Sequence, residues 1–307
     1  MCGQMEMPDT ERSLFGAGLI VVASAFFATS GLLIQLSSKE VSSWTTVFAG
    51  FLVGGLFVIP FVLVRRGASA FASPNVLMLI ARGGVAVAQI GVLFKAIASI
   101  SLLEAMLFRE TAPLWVPIFS LLFLGESMPR RIWPTLLCGF TGVALVLHPN
   151  LTALNTGYLF GLAAGILFAV QIMLTRRLNQ LHEPQDRILL YIYLIGIVGT
   201  IIPAAQTYVR PDFVTVERLT FAGLFLLGST TFIVKAMGHA PAWLLAPLGY
   251  SAVVFSALLD WLVLDKLPGM VSSAGIMLVI VSGISTMRFA PHQGHGETAM
   301  IAKEGCT

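Results

Sequence analysis

Residues 14 to 36 read LFGAGLIVVASAFFATSGLLIQL, and residues 157 to 178 read GYLFGLAAGILFAVQIMLTRRL. The first run is free of Asp, Glu, Lys and Arg over 23 residues, and a helix needs about 20 apolar residues to cross hydrocarbon. The second run repeats its marks. Gly16, Ala23, Phe27, Ala28 and Leu33 stand against Gly157, Ala164, Phe168, Ala169 and Leu174, each 141 residues further on. The first run reads as a membrane helix, and the pair reads as one fold used twice.

The rest of the chain fits this solvent. Hydrophobic residues make up 57% of the 307, charged residues only 11%, and the mean hydropathy is +0.88. Soluble domains average about 45–50% apolar and about 25% charged, and one soluble core cannot hide the excess. Ten spans follow, at 14–36, 43–64, 75–97, 101–124, 129–148, 157–178, 187–208, 217–237, 241–264 and 268–287. Residues 1–13 form a polar leading segment, and 289–307 a polar tail carrying His292 and His295. Charged pairs such as Arg65-Arg66 and the stretch Arg176 to Arg187 mark the breaks.

The repeat continues through the halves 14–148 and 157–288. Glu40, Ile59 and Pro60 match Glu183, Ile202 and Pro203 at 143, and Lys95-Ala96 matches Lys235-Ala236 at 140. Five spans per half is an odd number, so the second half enters the membrane in the opposite sense. With both termini cytoplasmic, eleven basic residues fall on the cytoplasmic side and five on the other, as the positive-inside rule requires. The expected architecture is therefore all-α, ten transmembrane helices in two inverted-topology repeats, a design used by transporters. The expected location is a bacterial inner membrane.

Residues 111 to 147 read TAPLWVPIFSLLFLGESMPRRIWPTLLCGFTGVALVL. A Pro-containing fourth helix (Pro113, Pro117) ends in Leu124-Gly125-Glu126, a basic turn follows, and then a helix with Gly139 and Gly142. This pattern resembles the EamA family of the drug/metabolite transporter superfamily, over nearly the whole of residues 14 to 288. In the second copy Leu264-Asp265-Lys266 keeps the position but loses the Glu. The resemblance implies a transporter of small organic metabolites, with amino acids and S-adenosylmethionine among the cargoes of its members. Read without the family, Glu126 beside Arg130 and Arg131 is a surface ion cluster or a substrate contact. Gly157, Gly161 and Gly165 line one helix face and allow close approach of a neighbour.

Ionisable groups at bilayer depth mark functional sites by default. Arg109 and Glu110 lie within roughly 4–5 Å of the middle of the fourth span at 1.5 Å rise per residue. As adjacent residues on a helix they are expected to point apart and to take partners elsewhere. Pro113 frees the carbonyl of Arg109 and kinks the helix; Pro247 does the same for Trp243. The 140 offset sets Glu110 against Tyr250, so Arg109 and Glu110 are expected to face Trp243 and Tyr250. Gln89 and Gln171 lie near mid-depth, as further ligand contacts or as interhelical hydrogen bonds, and Asp260 suits a helix end. A structural ion pair is the alternative role for Arg109 and Glu110.

The leading expectation is a secondary transporter working by alternating access on a small-molecule substrate, with a coupling proton as a further candidate ligand of Glu110. Its other partner is the lipid bilayer. The basic residues form no nucleic-acid patch. No Walker motif, HExxH or GxSxG is present, so direct ATP drive and enzyme chemistry have no support. Cys2, Cys138 and Cys306 have no metal-ligand spacing, and no cofactor or metal is expected. The rival classes are a membrane-embedded enzyme and a non-transporting scaffold.

Overall fold

The computed structural model describes residues 9–37, 40–97, 99–100, 102–125, 130–147, 156–264 and 269–288. The expected ion cluster at Glu126, the residues Asp265 and Lys266, most of the leading segment and the tail with His292 and His295 lie outside them, as does the Asp260 side chain.

The charge-free first run forms α1 (Asp9–Ser37). Ser42, in extended backbone, accepts the Thr45 amide at 3.1 Å and opens α2 (Ser43–Arg66), satisfying an amide that the helix itself leaves free. Arg65 and Arg66 close α2, where basic charge complements the helix dipole. Next come α3 (Val76–Ile97), α4 (Leu102–Arg109), α5 (Ala112–Phe119) and α6 (Trp133–Leu147). The second half holds α7 (Thr156–Gln180), α8 (Gln185–Gln206) and α9 (Phe213–His239). It ends with α10 (Ala242–Leu245), α11 (Ser251–Leu264) and α12 (Met270–Arg288).

Among the described residues, nine helical segments of 19 to 28 residues are apolar enough to cross a bilayer. The tenth apolar helix, α6, has only 15 residues. It was expected to start near 129, but the 3-10 turn Arg130–Ile132 precedes it, and Pro134 in its first turn has no amide to give. The eighth span starts earlier than read, at Phe213, because Asp212 caps it by accepting the Thr215 amide at 2.7 Å.

The fourth and ninth spans, which carry Pro113 and Pro247, are interrupted, whereas α2 and α8 run unbroken through Pro60 and Pro203. The fourth breaks between α4 and α5 and continues beyond Phe119 as a π-helical turn, Ser120–Leu124. The ninth passes from α10 through the 3-10 turn Ala246–Tyr250 into α11. Helix α1 packs on α9 and α11, while α7 packs on α3, α4 and α5; α2 pairs with α8, and α6 with α12. Large apolar side chains such as Leu56, Phe57, Phe61, Leu159, Ile202 and Met277 stay on the outside, as lipid-facing surfaces require.

The glycine stripe of α7 does what its spacing suggests. A Cβ at Gly161 would meet Phe108 at 2.8 Å, and one at Gly165 would lie 2.5 Å from the Phe108 carbonyl and the Thr111 hydroxyl. Helix α7 therefore closes directly on the break in the fourth span.

Candidate functional site

Arg109 is the last residue of α4, and Glu110 and Thr111 form the turn before α5. Pro113 has no amide for the Arg109 carbonyl, and the chain tightens here. The Thr111 amide donates to the Phe108 carbonyl at 3.2 Å, and the Thr111 hydroxyl to the same oxygen at 2.6 Å. The Arg109 guanidinium crosses toward the other half, 4.1 Å from the Phe168 ring centroid on α7 and 5.5 Å from the Phe27 centroid on α1. Those rings occupy the positions paired at the 141 offset.

Arg109 Nη1 also meets Glu110 Oε1 at 2.5 Å. This corrects the expectation that the two would point apart. Helical divergence does not hold where the helix has ended, and the long arginine stem bends back to the neighbouring carboxylate. With side-chain exposures of 12% and 17%, both groups are mostly withdrawn from solvent, where a nearby opposite charge has few competitors.

Of the other sequence candidates, Tyr250 packs against α4, the helix that Arg109 ends. Its ring is fully buried, packed with Leu107, Val143 and Val279, and Glu110 acts on its phenol electrostatically. The hydroxyl itself is buried with no hydrogen-bond partner. Trp243 is placed differently. It is buried in an apolar cluster with Ile20, Ala112, Val116 and Met173, on the α5 side of the break. Gln89 and Gln171 are both buried, at 5% and 6% exposure, and Gln171 belongs to a second polar group.

That second group is centred on Arg82 of α3, which the sequence reading passed over. Arg82 is 8% exposed. Its Nε donates to Thr175 Oγ1 at 2.7 Å and its Nη1 to Gln171 Oε1 at 3.2 Å. The signal was available: Arg82 stands about 6 Å from the middle of the third span by helical rise, close to the depth that singled out Arg109. Among the described residues no cluster of His, Cys, Asp and Glu could hold a metal ion.

A family model, described as the EamA-like transporter family, matches residues 14–148 and again 155–287. The chain belongs to the EamA-like transporter family. Similar proteins include the pseudopaline exporter of Pseudomonas aeruginosa, 28% identical over 280 residues, covering 89% of this chain and 96% of the relative. The riboflavin transporter of Rhizobium johnstonii is 21% identical, covering 91% of this chain and 93% of the relative. An S-adenosylmethionine uptake transporter of Rickettsia bellii is 22% identical, covering 86% and 90%. A solved crystal structure shares the fold at a TM-score of 0.76 and 19% identity, covering 95% of this chain and 99% of that one. This EamA-like chain is thus an integral membrane transporter and not an enzyme, and its buried ionic groups lie inside a transporter fold.

Proposed function

We propose that this EamA-like protein is a secondary transporter that moves a small organic metabolite with amino and carboxylate groups by alternating access between two inverted five-helix halves. The observation that carries the reading is the Arg109–Glu110 pair between Phe27 and Phe168. It brings two charges and one aromatic ring from each half to a single place within the membrane span. Charges at such depth are retained for ligands, ions or gating. Glu110 would bind the ammonium or a coupling proton, Arg109 an anionic group, and the rings would offer cation–π surface.

The helix pairing supports the inverted arrangement. The contact of α1 with α9 has its counterpart in that of α7 with α3, and α1 with α11 in α7 with α4 and α5. The double family match supports the duplication. Loop charge favours cytoplasmic termini in an inner membrane. The relatives' names, an exporter and an uptake transporter among them, favour organic metabolites without fixing the direction.

The test is uptake into proteoliposomes of an amino-acid panel and S-adenosylmethionine, at several pH values. Glu110→Gln is expected to cut uptake at least tenfold. A wild-type rate with unchanged pH dependence in that variant would reject the role given to Glu110.

A further inference from the structure

Arg82 differs from Arg109 in one respect that decides what it is for. Arg109 has a carboxylate at 2.5 Å. Arg82 has only the hydroxyl of Thr175 and the amide oxygen of Gln171, and no carboxylate among the described residues lies within ion-pair distance. A buried guanidinium with neutral partners alone is costly, because nothing replaces the water and counter-ions it has lost.

The surroundings have the same polarity. Thr175 Oγ1 accepts from Arg82 and spends its own proton on the Gln171 carbonyl at 2.8 Å. A guanidinium has no acceptor, so it fixes the Gln171 amide with oxygen toward Arg82 and Nε2 away. That Nε2 is buried without a partner, as is Gln89 Nε2. Gln89 lies two turns along α3 from Arg82, on the same face. Both unsatisfied groups are amide nitrogens, which only donate. The interior has surplus donors and lacks acceptors.

We propose that Arg82, with Gln171, forms an oxyanion subsite, and that the cargo of this transporter carries net negative charge. The inference rests on the transport reading above and narrows it. Among the described side chains near mid-membrane, the fixed charges are Arg82 and Arg109 against Glu110. A zwitterion leaves one positive charge unbalanced and a cation raises it to two. An acidic solute, with one more carboxylate than its amines balance, brings the loaded interior to neutrality. Arg82 and Gln171 bridge α3 and α7, so the anion would seat where the two halves meet.

The test measures thermal unfolding of the purified full-length protein at constant ionic strength, with L-glutamate, citrate, L-glutamine and L-lysine as probes. Glutamate and citrate are expected to raise the melting temperature, and glutamine and lysine to leave it unchanged. In Arg82→Gln the apparent affinity for the acidic probes should fall at least tenfold, while Arg82→Lys should keep part of it. The empty Arg82→Gln protein should melt no lower than wild type, since the change removes an uncompensated charge. Four results would overturn the proposal: no response to either acid, an equal response in Arg82→Gln, an equal response to lysine, or a variant that melts early or does not fold. If Glu110→Gln abolishes uptake while Arg82→Gln keeps the charge preference, the transport reading stands and this one falls.

Discussion

Glu183 and Asn75 join the two halves of the chain at one end of the bundle, with Glu183 Oε2 accepting from Asn75 Nδ2 at 3.0 Å. Ser73 donates to the same oxygen at 2.9 Å, and Arg187 to Oε1 at 2.5 Å. At the other end Glu40 accepts a short hydrogen bond from the Thr215 hydroxyl. Glu40 and Glu183 are partners at the 143 offset, and Asn75 and Thr215 stand 140 apart. Each glutamate therefore ties a loop of its own half to the start of the third helix of the other. If the halves rock against one another, as proposed above, the two ties would open in turn.

The Glu183 tie has a pH signature. Burial pushes its carboxyl up, but the hydrogen bonds from Asn75, Arg187 and Ser73 outweigh it and hold the group below the ordinary carboxylate range. A depressed folded-state pKa adds stability above the unfolded value of about 4.3, and loses it as pH falls through the folded one. Glu183→Gln should therefore cost about 2 kcal/mol near neutrality. The gap in melting temperature between variant and wild type should hold down to about pH 5 and close below it. A gap independent of pH would mean that the carboxylate charge contributes nothing.

The two ties are also separable in space. Thr215→Val leaves Glu40 without its partner at the start of α9, and Asn75→Ala weakens Glu183 at the start of α3. Amide hydrogen exchange should rise around Ser37 to Thr46 in the first variant and around Leu181 to Arg187 in the second, because local opening follows the contacts that are lost. Equal rises at both ends in either variant would show that the ties do not act independently.

Close backbone approach gives a third expectation. A Cβ on Gly142 would lie 2.7 Å from the Gly275 carbonyl oxygen, and one on Gly275 lies 2.6 Å from that of Gly142. Backbone cannot swing aside as a side chain can, so Gly142→Ala must force α6 and α12 apart, at a cost of about 1–3 kcal/mol. Gly18 of α1 has open space around its Cβ position, and Gly18→Ala should be neutral or stabilising by up to about 1 kcal/mol from helix propensity. Thermal unfolding of the two variants side by side separates packing from propensity.

The fold was legible because solvent decides it: a charge-free run such as 14–36 has few places to go, and charged pairs such as Arg65-Arg66 mark where a span must stop. The break in the fourth helix was legible from Pro113, whose missing amide is a covalent fact. The Arg109–Glu110 contact was not, since residue spacing gives the direction of a Cβ on an intact helix but not how a long side chain folds once the helix ends. The surroundings of Trp243 were not legible either. Its neighbours Ile20, Ala112 and Met173 come from three distant helices, and depth alone does not choose among them. Arg82 was legible by depth alone, since α3 has no proline beside it to mark the site a second time.

The last expectation concerns the rings around Arg109. Phe168 stands at 4.1 Å from the guanidinium carbon and Phe27 at 5.5 Å, and Phe27 is 38% exposed. Cation–π attraction ranges from about 0.5–1 kcal/mol at exposed sites to about 2 kcal/mol when desolvated, so the nearer ring should hold most of it. A double-mutant cycle isolates the pairwise part from lost packing, provided each single change removes the contact without adding another. Combining Phe168→Leu with Arg109→Gln should give a coupling of about 1 kcal/mol, read from thermal or denaturant unfolding. The same cycle with Phe27→Leu should give less than half of it. If Phe27 couples as strongly as Phe168, the guanidinium is shared equally between the halves. Arg109 would then be a symmetric pivot, and its lean toward α7 would carry no energetic weight.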